Sequence, residues 1–155
     1  MEKRSFKLIA QNKKAHFDYF IEETFQAGIE LAGTEVKSLR QSKCNLKESF
    51  VRVENNQAYI FNMHIGPYDH GNIHNKDPMR PRRLLLHKYE IKQLIGAVTK
   101  DGFTIVPVKI YFNGSYVKVD IGVAKGKKNY DKRHEIAKKD MQRESQREFR
   151  EKFKN

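Results

Sequence analysis

Residues 103–124 read FTIVPVKIYFNGSYVKVDIGVA, and this stretch decides the fold class. Its second half alternates apolar and polar residues, which is typical of a half-buried β-strand. The dipeptide Asn113-Gly114 between the halves predicts a two-residue hairpin turn with both residues at positive φ. The stretch therefore predicts an antiparallel hairpin. The second strand is expected to face the core with Val117, Val119, Ile121 and Val123.

The first strand of this hairpin is expected to bury one face. Side chains two residues apart point the same way in a strand. The residues predicted to share the buried face are Val106, Val108, Ile110 and Phe112. Pro107 lacks a backbone donor and therefore indicates a sheet edge or a strained position.

Before the hairpin, residues 88–100 predict an amphipathic helix. Apolar residues recur there at i, i+3, i+4 and i+7. These positions are Ile91, Leu94, Ile95 and Val98. The dipeptide Asp101-Gly102 is expected to stop the helix.

The middle of the chain predicts further strands and one loop. Residues 48–53 and 57–65 predict a second hairpin, because Glu54-Asn55-Asn56 between them is a turn signal. Residues 66–82 are rich in Gly, Pro, Asn and His and predict a long exposed loop. Residues 82–87 predict a short strand.

The first forty residues are expected to add a strand and a helix. Residues 6–15 form a basic lead-in, and residues 17–31 favour a strand, although residues 21–26 also suit a helical turn. Thr34 is expected to cap a short helix over residues 35–39. Short antiparallel strands with two peripheral helices predict a mainly β fold, a small β-barrel with flanking helices.

Alternation stops at Lys125, and residues 125–155 form a basic tail. The tail holds twelve Lys or Arg and six Asp or Glu, which leaves a net charge of +6 out of the chain's +12. Its hydrophobic residues are too sparse for a core, so we expect it to be disordered alone and to become helical against a partner. The chain is therefore expected to divide into a body, residues 1–124, and this tail.

Composition favours a cytoplasmic protein that binds nucleic acid. Cys44 is the single cysteine, which excludes an internal disulfide and a cysteine-cluster zinc site. No apolar run approaches the length of a membrane span. A pI near 9.8 predicts binding to polyanions. The tail lacks the continuous apolar stripe of a membrane-surface helix, so nucleic acid is favoured over membrane.

No pattern for catalysis or cofactor binding stands out. His64, Asp69, His70, His74 and Asp77 fall close together, but they span a Gly- and Pro-rich stretch without the short fixed spacing of a zinc site. A metal-dependent RNA nuclease using this region is the alternative from another functional class. No histidine lies near Cys44 in sequence, and no phosphate-binding glycine loop is present.

Nucleic-acid binding has the most coherent support. Three basic clusters, interleaved with Tyr68, Tyr116 and Tyr130, are typical of a groove that follows a phosphate backbone and stacks bases on aromatic rings. The clusters are Lys37, Arg40 and Lys43; Arg80, Arg82 and Arg83; and Lys125, Lys127 and Lys128. A generic basic RNA chaperone is the nearer alternative, and it would bind RNA without regard to shape.

Ordered motifs along nearly the whole chain resemble one family. They are Asn12-Lys13-Lys14-Ala15, Ala27-Gly28-Ile29, Gly33-Thr34-Glu35-Val36-Lys37-Ser38-Leu39-Arg40, His64-Ile65, Pro67-Tyr68, Asp77-Pro78, Arg82-Arg83-Leu84-Leu85-Leu86, Gly126-Lys127-Lys128 and Asp131-Lys132-Arg133. The chain resembles small protein B, the SsrA-binding protein family that partners transfer-messenger RNA (tmRNA) in bacterial ribosome rescue.

The resemblance implies an oligonucleotide-binding-like antiparallel barrel without catalytic activity, cofactor or metal. One barrel surface would grip the elbow of the tRNA-like domain of tmRNA, with Gln26, Leu85 and Lys118 at matching contact positions. Gln26 stands where many relatives carry Glu, and Ser42 stands where a glycine is often seen. The further residues that the resemblance assigns to RNA binding are Asn12, Lys13, Glu35, Lys37, Ser38, Arg40, Arg82, Arg83 and Lys125.

The resemblance also gives the tail a role on the 70S ribosome. The tail would enter the empty messenger channel of a stalled ribosome, fold as a helix, and meet 16S rRNA near the decoding centre. Elongation factor Tu would join the delivery complex through tmRNA. The tail residues assigned to this step are Gly126, Lys127, Lys128, Tyr130, Asp131, Lys132 and Arg133.

Overall fold

A computed structural model describes residues 6–68 and 75–126. The strands are β1 (Phe6–Gln11), β2 (Tyr19–Ile29), β3 (Cys44–Asn45), β4 (Phe50–Glu54), β5 (Gln57–Phe61), β6 (His64–Ile65), β7 (Arg82–Leu85), β8 (Thr104–Asn113) and β9 (Tyr116–Gly126). The helices are α1 (Lys13–Asp18), α2 (Gly33–Arg40) and α3 (Lys88–Asp101). The predictions made for residues 69–74 and for the tail after Gly126 lie outside the described residues.

Antiparallel pairing closes the main sheet into a barrel. Its strands follow the order β1-β8-β4-β5-β7-β2-β9, and β9 pairs in turn with β8. Two strands pair along the other edge of β8. Val51 of β4 pairs with Ile105 near one end of β8, and β1 pairs with the other end. Strands β3 and β6 form a separate two-stranded sheet. The predicted mainly β barrel with flanking helices is confirmed.

The strand β9 packs its predicted face into the barrel. Val117, Val119, Ile121 and Val123 are all buried in the main hydrophobic core. The strand ends at Gly126, two residues beyond the predicted end of the body.

The predicted common face of β8 is wrong, because the strand contains a bulge. The register with β9 shifts between Pro107 and Lys109. A bulge inserts one residue and reverses which side chains face inward beyond it. Val106 consequently packs with a small second cluster, whereas Ile110 and Phe112 lie in the main core. Pro107 therefore marks an irregular position, as predicted.

Both hairpins form, but one turn lies a residue later than predicted, and the strand predicted over residues 57–65 ends at Phe61. Asn62 has a φ of 60°, and residues 64–65 pair with β3 instead. Asn55 and Asn56 both have positive φ, 50° and 59°, as the predicted turn between β4 and β5 requires. In the β8–β9 hairpin Asn113 pairs with Tyr116, so the loop residues are Gly114 and Ser115. Gly114 has φ 65°, which suits a turn with glycine at its first central position.

Helices α2 and α3 form where the sequence predicts them, but single residues at their caps and faces differ from the prediction. Helix α3 ends where predicted, at the left-handed Gly102 (φ 67°). Its Val98 is exposed rather than buried. The α2 cap is Ala32 rather than Thr34, and its amide donates to the Glu35 carboxylate at 2.9 Å. In the described part of the chain, no helix is long and apolar enough to cross a membrane.

The basic lead-in over residues 6–15, for which no element was predicted, contains β1 and the start of α1. The strand β1 alternates poorly between apolar and polar residues. It nevertheless pairs with β8 from Phe6 opposite Asn113 to Gln11 opposite Lys109, with one shift of register. Asn12 then caps α1 by accepting the Ala15 amide at 3.2 Å. Such distant pairing leaves no local sequence signal.

Candidate nucleic-acid interface

One outer surface of the barrel brings together the contact residues that the family resemblance indicated. Leu85 of β7 pairs with Gly28 of β2, Gly28 pairs with Lys118 of β9, and Lys118 pairs with Tyr111 of β8. Gln26 lies two residues from Gly28 on the same side of β2. We call this surface the β2–β9 face. It consists of Gln26, Gly28, Leu85, Lys109, Tyr111, Lys118 and Asp120.

The apolar end of the β2–β9 face is Leu85. Its side chain is 48% exposed, and it lies over Gly28. A Cβ atom at position 28 would be 3.2 Å from the Leu85 Cβ atom. Glycine at this position therefore lets the leucine side chain lie close to the neighbouring strand while it stays accessible to a ligand.

The centre of the face is a polar network that sequence reasoning missed. The Tyr111 hydroxyl accepts a hydrogen bond from Gln26 Nε2 at 2.5 Å and donates one to Asp120 Oδ1 at 2.8 Å. Burial raises the pKa of Tyr111, and the Asp120 carboxylate raises it further, so the phenol keeps the proton that it donates. Lys109 Nζ lies 3.6 Å from Asp120 Oδ2. The only available signal was alternation, which places Asp120 on the same side of β9 as Lys118.

An aromatic group borders this network. The rings of Phe6 and Tyr111 meet with their centroids 4.8 Å apart at a tilt of 36°. Lys109 Nζ lies 5.6 Å from the Phe6 centroid and 5.5 Å from the Tyr111 centroid, within cation–π range. Phe6 is 59% exposed. The border thus combines a positive charge with an exposed aromatic side chain, a combination used in the binding of single-stranded bases.

A second set of predicted contact residues forms a buried ion-pair cluster. We call Glu35, Arg80 and Arg82 the Glu35 cluster. The Glu35 and Arg82 side chains are 5% and 0% exposed, and Arg82 Nε donates to Glu35 Oε2 at 2.5 Å. Arg80 donates to Glu35 as well. Burial raises the pKa of Glu35, but hydrogen bonds from Arg80, the Ala32 amide and Arg82 together lower it below its ordinary 4.5.

Arg82 uses its remaining donors within the protein. Its Nη1 donates to the Met63 carbonyl at 2.7 Å and its Nη2 to the Pro78 carbonyl at 3.1 Å. The guanidinium therefore joins α2 to two other segments instead of facing solvent. Four residues predicted to bind RNA are buried: Asn12, Glu35, Ser38 and Arg82.

The other basic residues with a predicted RNA contact are accessible. Lys37 and Arg40 are exposed on α2, and Lys37 Nζ lies 5.4 Å from the Tyr68 ring centroid. Lys13 and Lys125 are also exposed. Arg83 is exposed and pairs with Glu30 at 2.9 Å. The positive surface near α2 therefore comes from the helix itself rather than from Arg82.

The described residues give little support to the two chemical alternatives, a reactive cysteine and a metal-dependent nuclease. Burial raises the pKa of the Cys44 thiol to about 12, despite the opposing field of Arg82, so the thiol stays protonated. Within residues 6–68 and 75–126, no three His, Cys, Asp or Glu side chains are placed to hold a metal. Asp69, His70 and His74 lie outside the described residues.

Of the tail residues assigned to the decoding centre, Gly126 belongs to the described part of the chain. Gly126 closes β9 opposite Tyr19. The others lie outside the described residues: Lys127, Lys128, Tyr130, Asp131, Lys132 and Arg133.

Comparison with known proteins gives consistent matches over almost the whole chain. The family model for SmpB protein matches residues 9–151. SsrA-binding protein of Lachnoclostridium phytofermentans is 59% identical over 150 residues, covering 97% of each chain. SsrA-binding protein of Caldanaerobacter subterraneus subsp. tengcongensis is 60% identical over 151 residues, covering 97% of this chain and 96% of that protein.

A solved structure is similar in fold as well as in sequence. It is described as "tmRNA-SmpB: a journey to the center of the bacterial ribosome". The matching chain is 50% identical, with a TM-score of 0.65, and the match covers 77% of this chain and 85% of that chain.

Proposed function

Because the chain belongs to the SmpB protein family, we propose that it is a tmRNA-binding adaptor of trans-translation. It binds the tRNA-like domain of tmRNA and delivers that RNA to ribosomes stalled on messages without a stop codon. The observation that carries this proposal is the family match over residues 9–151, which includes the body and most of the tail. The β2–β9 face is the geometry through which we propose that it acts.

The β2–β9 face suits a folded RNA because it offers several kinds of contact within one row of paired strands. Leu85 presents apolar surface to a base or a ribose, and Lys118 presents a cation to a phosphate. Gln26 presents an amide that both donates and accepts hydrogen bonds. A surface of this mixed kind recognises the shape of a loop region better than a uniform basic patch, which binds any RNA.

The Glu35 cluster acts in this proposal as support rather than as contact. Its buried ion pairs fix α2 against the segment that contains Arg80 and Pro78. The exposed cations Lys37 and Arg40 are thereby held at one place beside the barrel, ready for phosphates. Preorganised cations lose less side-chain entropy on binding than mobile ones.

We propose that residues 125–155 work on the ribosome, and that among them only Lys125, which still belongs to β9, also contacts tmRNA. Their net charge of +6 suits a channel lined by 16S rRNA. A message in the channel would exclude the tail, so only stalled ribosomes with an empty channel would accept it. In the same proposal the protein has no catalytic activity, meets elongation factor Tu only through tmRNA, and works in the cytoplasm, where ribosomes translate.

A reconstituted translation reaction on a message without a stop codon tests the division between body and tail. A variant truncated after Gly126 keeps the whole of β9 and should still bind tmRNA, but it should no longer support tagging of the stalled peptide. Lys118→Ala in the full chain should weaken tmRNA binding and lower its salt slope by about one unit. Lys92→Ala removes a lysine from an exposed position on α3, away from this face, and is the control. Full tagging by the truncated variant would contradict the role proposed for the tail.

A further inference from the structure

A carboxylate lies at the centre of the otherwise basic β2–β9 face. Asp120 is the ladder partner of Gln26, and Lys118 lies two residues away on the same side of β9. Lys109 is the other ladder partner of Asp120. The Asp120 side chain is 24% exposed. A negative charge at this point opposes phosphate binding by the two lysines, so it lowers the affinity for any RNA that places a phosphate over it.

The position of the Asp120 carboxylate is fixed by its neighbours. Oδ1 accepts the Tyr111 hydroxyl proton at 2.8 Å, and Tyr111 in turn accepts from Gln26. Oδ2 lies 3.6 Å from Lys109 Nζ, which is longer than a normal hydrogen bond. One carboxylate oxygen is thus held firmly while the other keeps acceptor capacity, because each oxygen can accept about two hydrogen bonds.

The chemistry of a carboxylate determines what it can bind on RNA. An ionised carboxylate only accepts hydrogen bonds, and it repels phosphate oxygens. The donors on RNA are the amino and imino groups of bases and the ribose 2′-hydroxyl. Resting on the proposed function, we infer that Asp120, with Gln26 beside it, recognises a hydrogen-bond donor group of the tRNA-like domain. Lys109 and Lys118 neutralise the phosphates on either side.

This role separates specificity from general affinity. The lysines attract any RNA, whereas the carboxylate favours only an RNA that places a donor at this point and disfavours one that places a phosphate there. A discriminating element of this kind needs both the attraction and the repulsion. Tyr111 is a positioning residue in the same arrangement, since it holds Asp120 and Gln26 in register.

Full-length Asp120→Asn tests the inference. Recognition of a donor by Asp120 predicts weaker binding of the variant to the tRNA-like domain, whereas a carboxylate that only repels phosphates predicts tighter binding. We expect binding to the isolated tRNA-like domain of tmRNA to weaken by about tenfold or more, the value of a hydrogen bond to a charged group. Binding to an elongator tRNA should stay the same or tighten, because a negative charge has been removed. Asp101→Asn, at the exposed end of α3, should leave the ratio of the two affinities unchanged.

Binding of Asp120→Asn that is unchanged or tighter for both RNAs would overturn the inference. The proposed function would stand in that case, provided that the wild-type protein prefers the tRNA-like domain. Absence of that preference in the wild type would instead contradict the proposed function. Equal thermal unfolding of wild type and variant shows that the change is local. Tyr111→Phe should give a smaller loss of the same preference.

Modified RNA identifies the donor. Inosine in place of guanosine removes the 2-amino group, and purine riboside and 2-pyrimidinone riboside remove the amino groups of adenosine and cytidine. N1-methylguanosine and N3-methyluridine remove the imino hydrogens, and 2′-deoxynucleotides remove the hydroxyl. The substitution that removes the donor should weaken binding to the wild-type protein and have no effect on binding to Asp120→Asn. Equal effects of every substitution on both proteins would contradict recognition of a donor by Asp120.

Discussion

Arg82 Nε donates to Glu35 Oε2 at 2.5 Å, across 47 residues of sequence and with both side chains buried. The remaining donors of Arg82 satisfy the carbonyl groups of Met63 and Pro78. A buried ion pair gains little over a well-packed apolar pair, but loss of one member leaves the other charged and uncompensated. The pair therefore makes α2, β7 and the segment before β6 depend on one another.

Replacement of Arg82 should destabilise the protein strongly. Arg82→Met removes the hydrogen bonds to Glu35, Met63 and Pro78 and leaves Glu35 buried with only Arg80 as a cationic partner. It should lower the free energy of unfolding by about 3–5 kcal/mol. Urea unfolding followed by far-UV circular dichroism measures the change.

Arg83→Met is the matched control for Arg82→Met. Arg83 precedes Leu84 on the same strand, but its pair with Glu30 is exposed. Its loss should cost no more than about 1 kcal/mol. Equal losses of unfolding free energy for the two substitutions would show that the buried pair contributes no more to stability than the exposed pair.

Stability should depend on pH through Glu35. The folded-state pKa of Glu35 lies below its ordinary 4.5, because hydrogen bonds from Arg80, Ala32 and Arg82 outweigh the effect of burial. A depressed folded pKa contributes stability that is present above the unfolded pKa and is lost as the pH falls through the folded value. Glu35→Gln should therefore be less stable than wild type near neutral pH, and the gap should narrow below about pH 4.5.

Urea midpoints measured across that acid range check the Glu35 prediction. Glu30→Gln is the control, because Glu30 forms an exposed pair with Arg83. A gap between wild type and Glu35→Gln that stays constant as the pH falls would contradict the assignment.

Gly122 should not tolerate a side chain. A Cβ atom there would lie 2.8 Å from Ile21 Cγ2 and 3.3 Å from Val108 Cγ2. Gly122→Ala should therefore cost about 1–3 kcal/mol through overpacking. Gly96 of α3 has nothing within 4 Å of the same position, so Gly96→Ala should stabilise the helix by up to about 1 kcal/mol. Thermal unfolding of both variants measures the contrast, and a tolerated Gly122→Ala would show that β2 and β9 approach less closely than described.

Ser42 occupies a conformation that favours glycine. Its φ is 57°, directly after α2, and its amide donates to the Leu39 carbonyl at 2.9 Å. A residue with a Cβ atom loses about 1–2 kcal/mol in this region, so Ser42→Gly should stabilise the protein by up to about 1 kcal/mol after the entropy of glycine is included. Gln41→Gly, where φ is −92°, should destabilise it. Thermal unfolding distinguishes the two, and a destabilising Ser42→Gly would contradict the described turn.

The sequence revealed the elements whose signals are local. The helix α3, the alternation of β9 and the turn at Asn55-Asn56 all depend on neighbouring residues, and all are confirmed. The bulge at Pro107 changed which side chains of β8 face the core, and a glycine at position 114 took the first turn position. A one-residue shift of this kind changes the free energy of the local segment only a little. The register therefore depends on the pairing of the whole strand, which the local sequence does not show.

The site was only partly accessible from sequence. Family resemblance indicated Gln26, Leu85 and Lys118 as contact residues, and strand pairing places these three residues in one face. Lys109 and Asp120 were missed because they meet across a ladder. Arg82 looked like one more surface cation, since nothing in its neighbourhood reveals a carboxylate 47 positions earlier.

We propose above all that the body of the protein recognises the shape of one RNA. The most direct test of this proposal is the binding of the full-length protein, at near-physiological salt, to the tRNA-like domain of tmRNA and to an elongator tRNA of similar length. We expect clear preference for the tRNA-like domain, reduced by Lys118→Ala. Equal affinity for both RNAs, falling steeply with salt for each, would contradict the adaptor function and indicate a nonspecific basic protein.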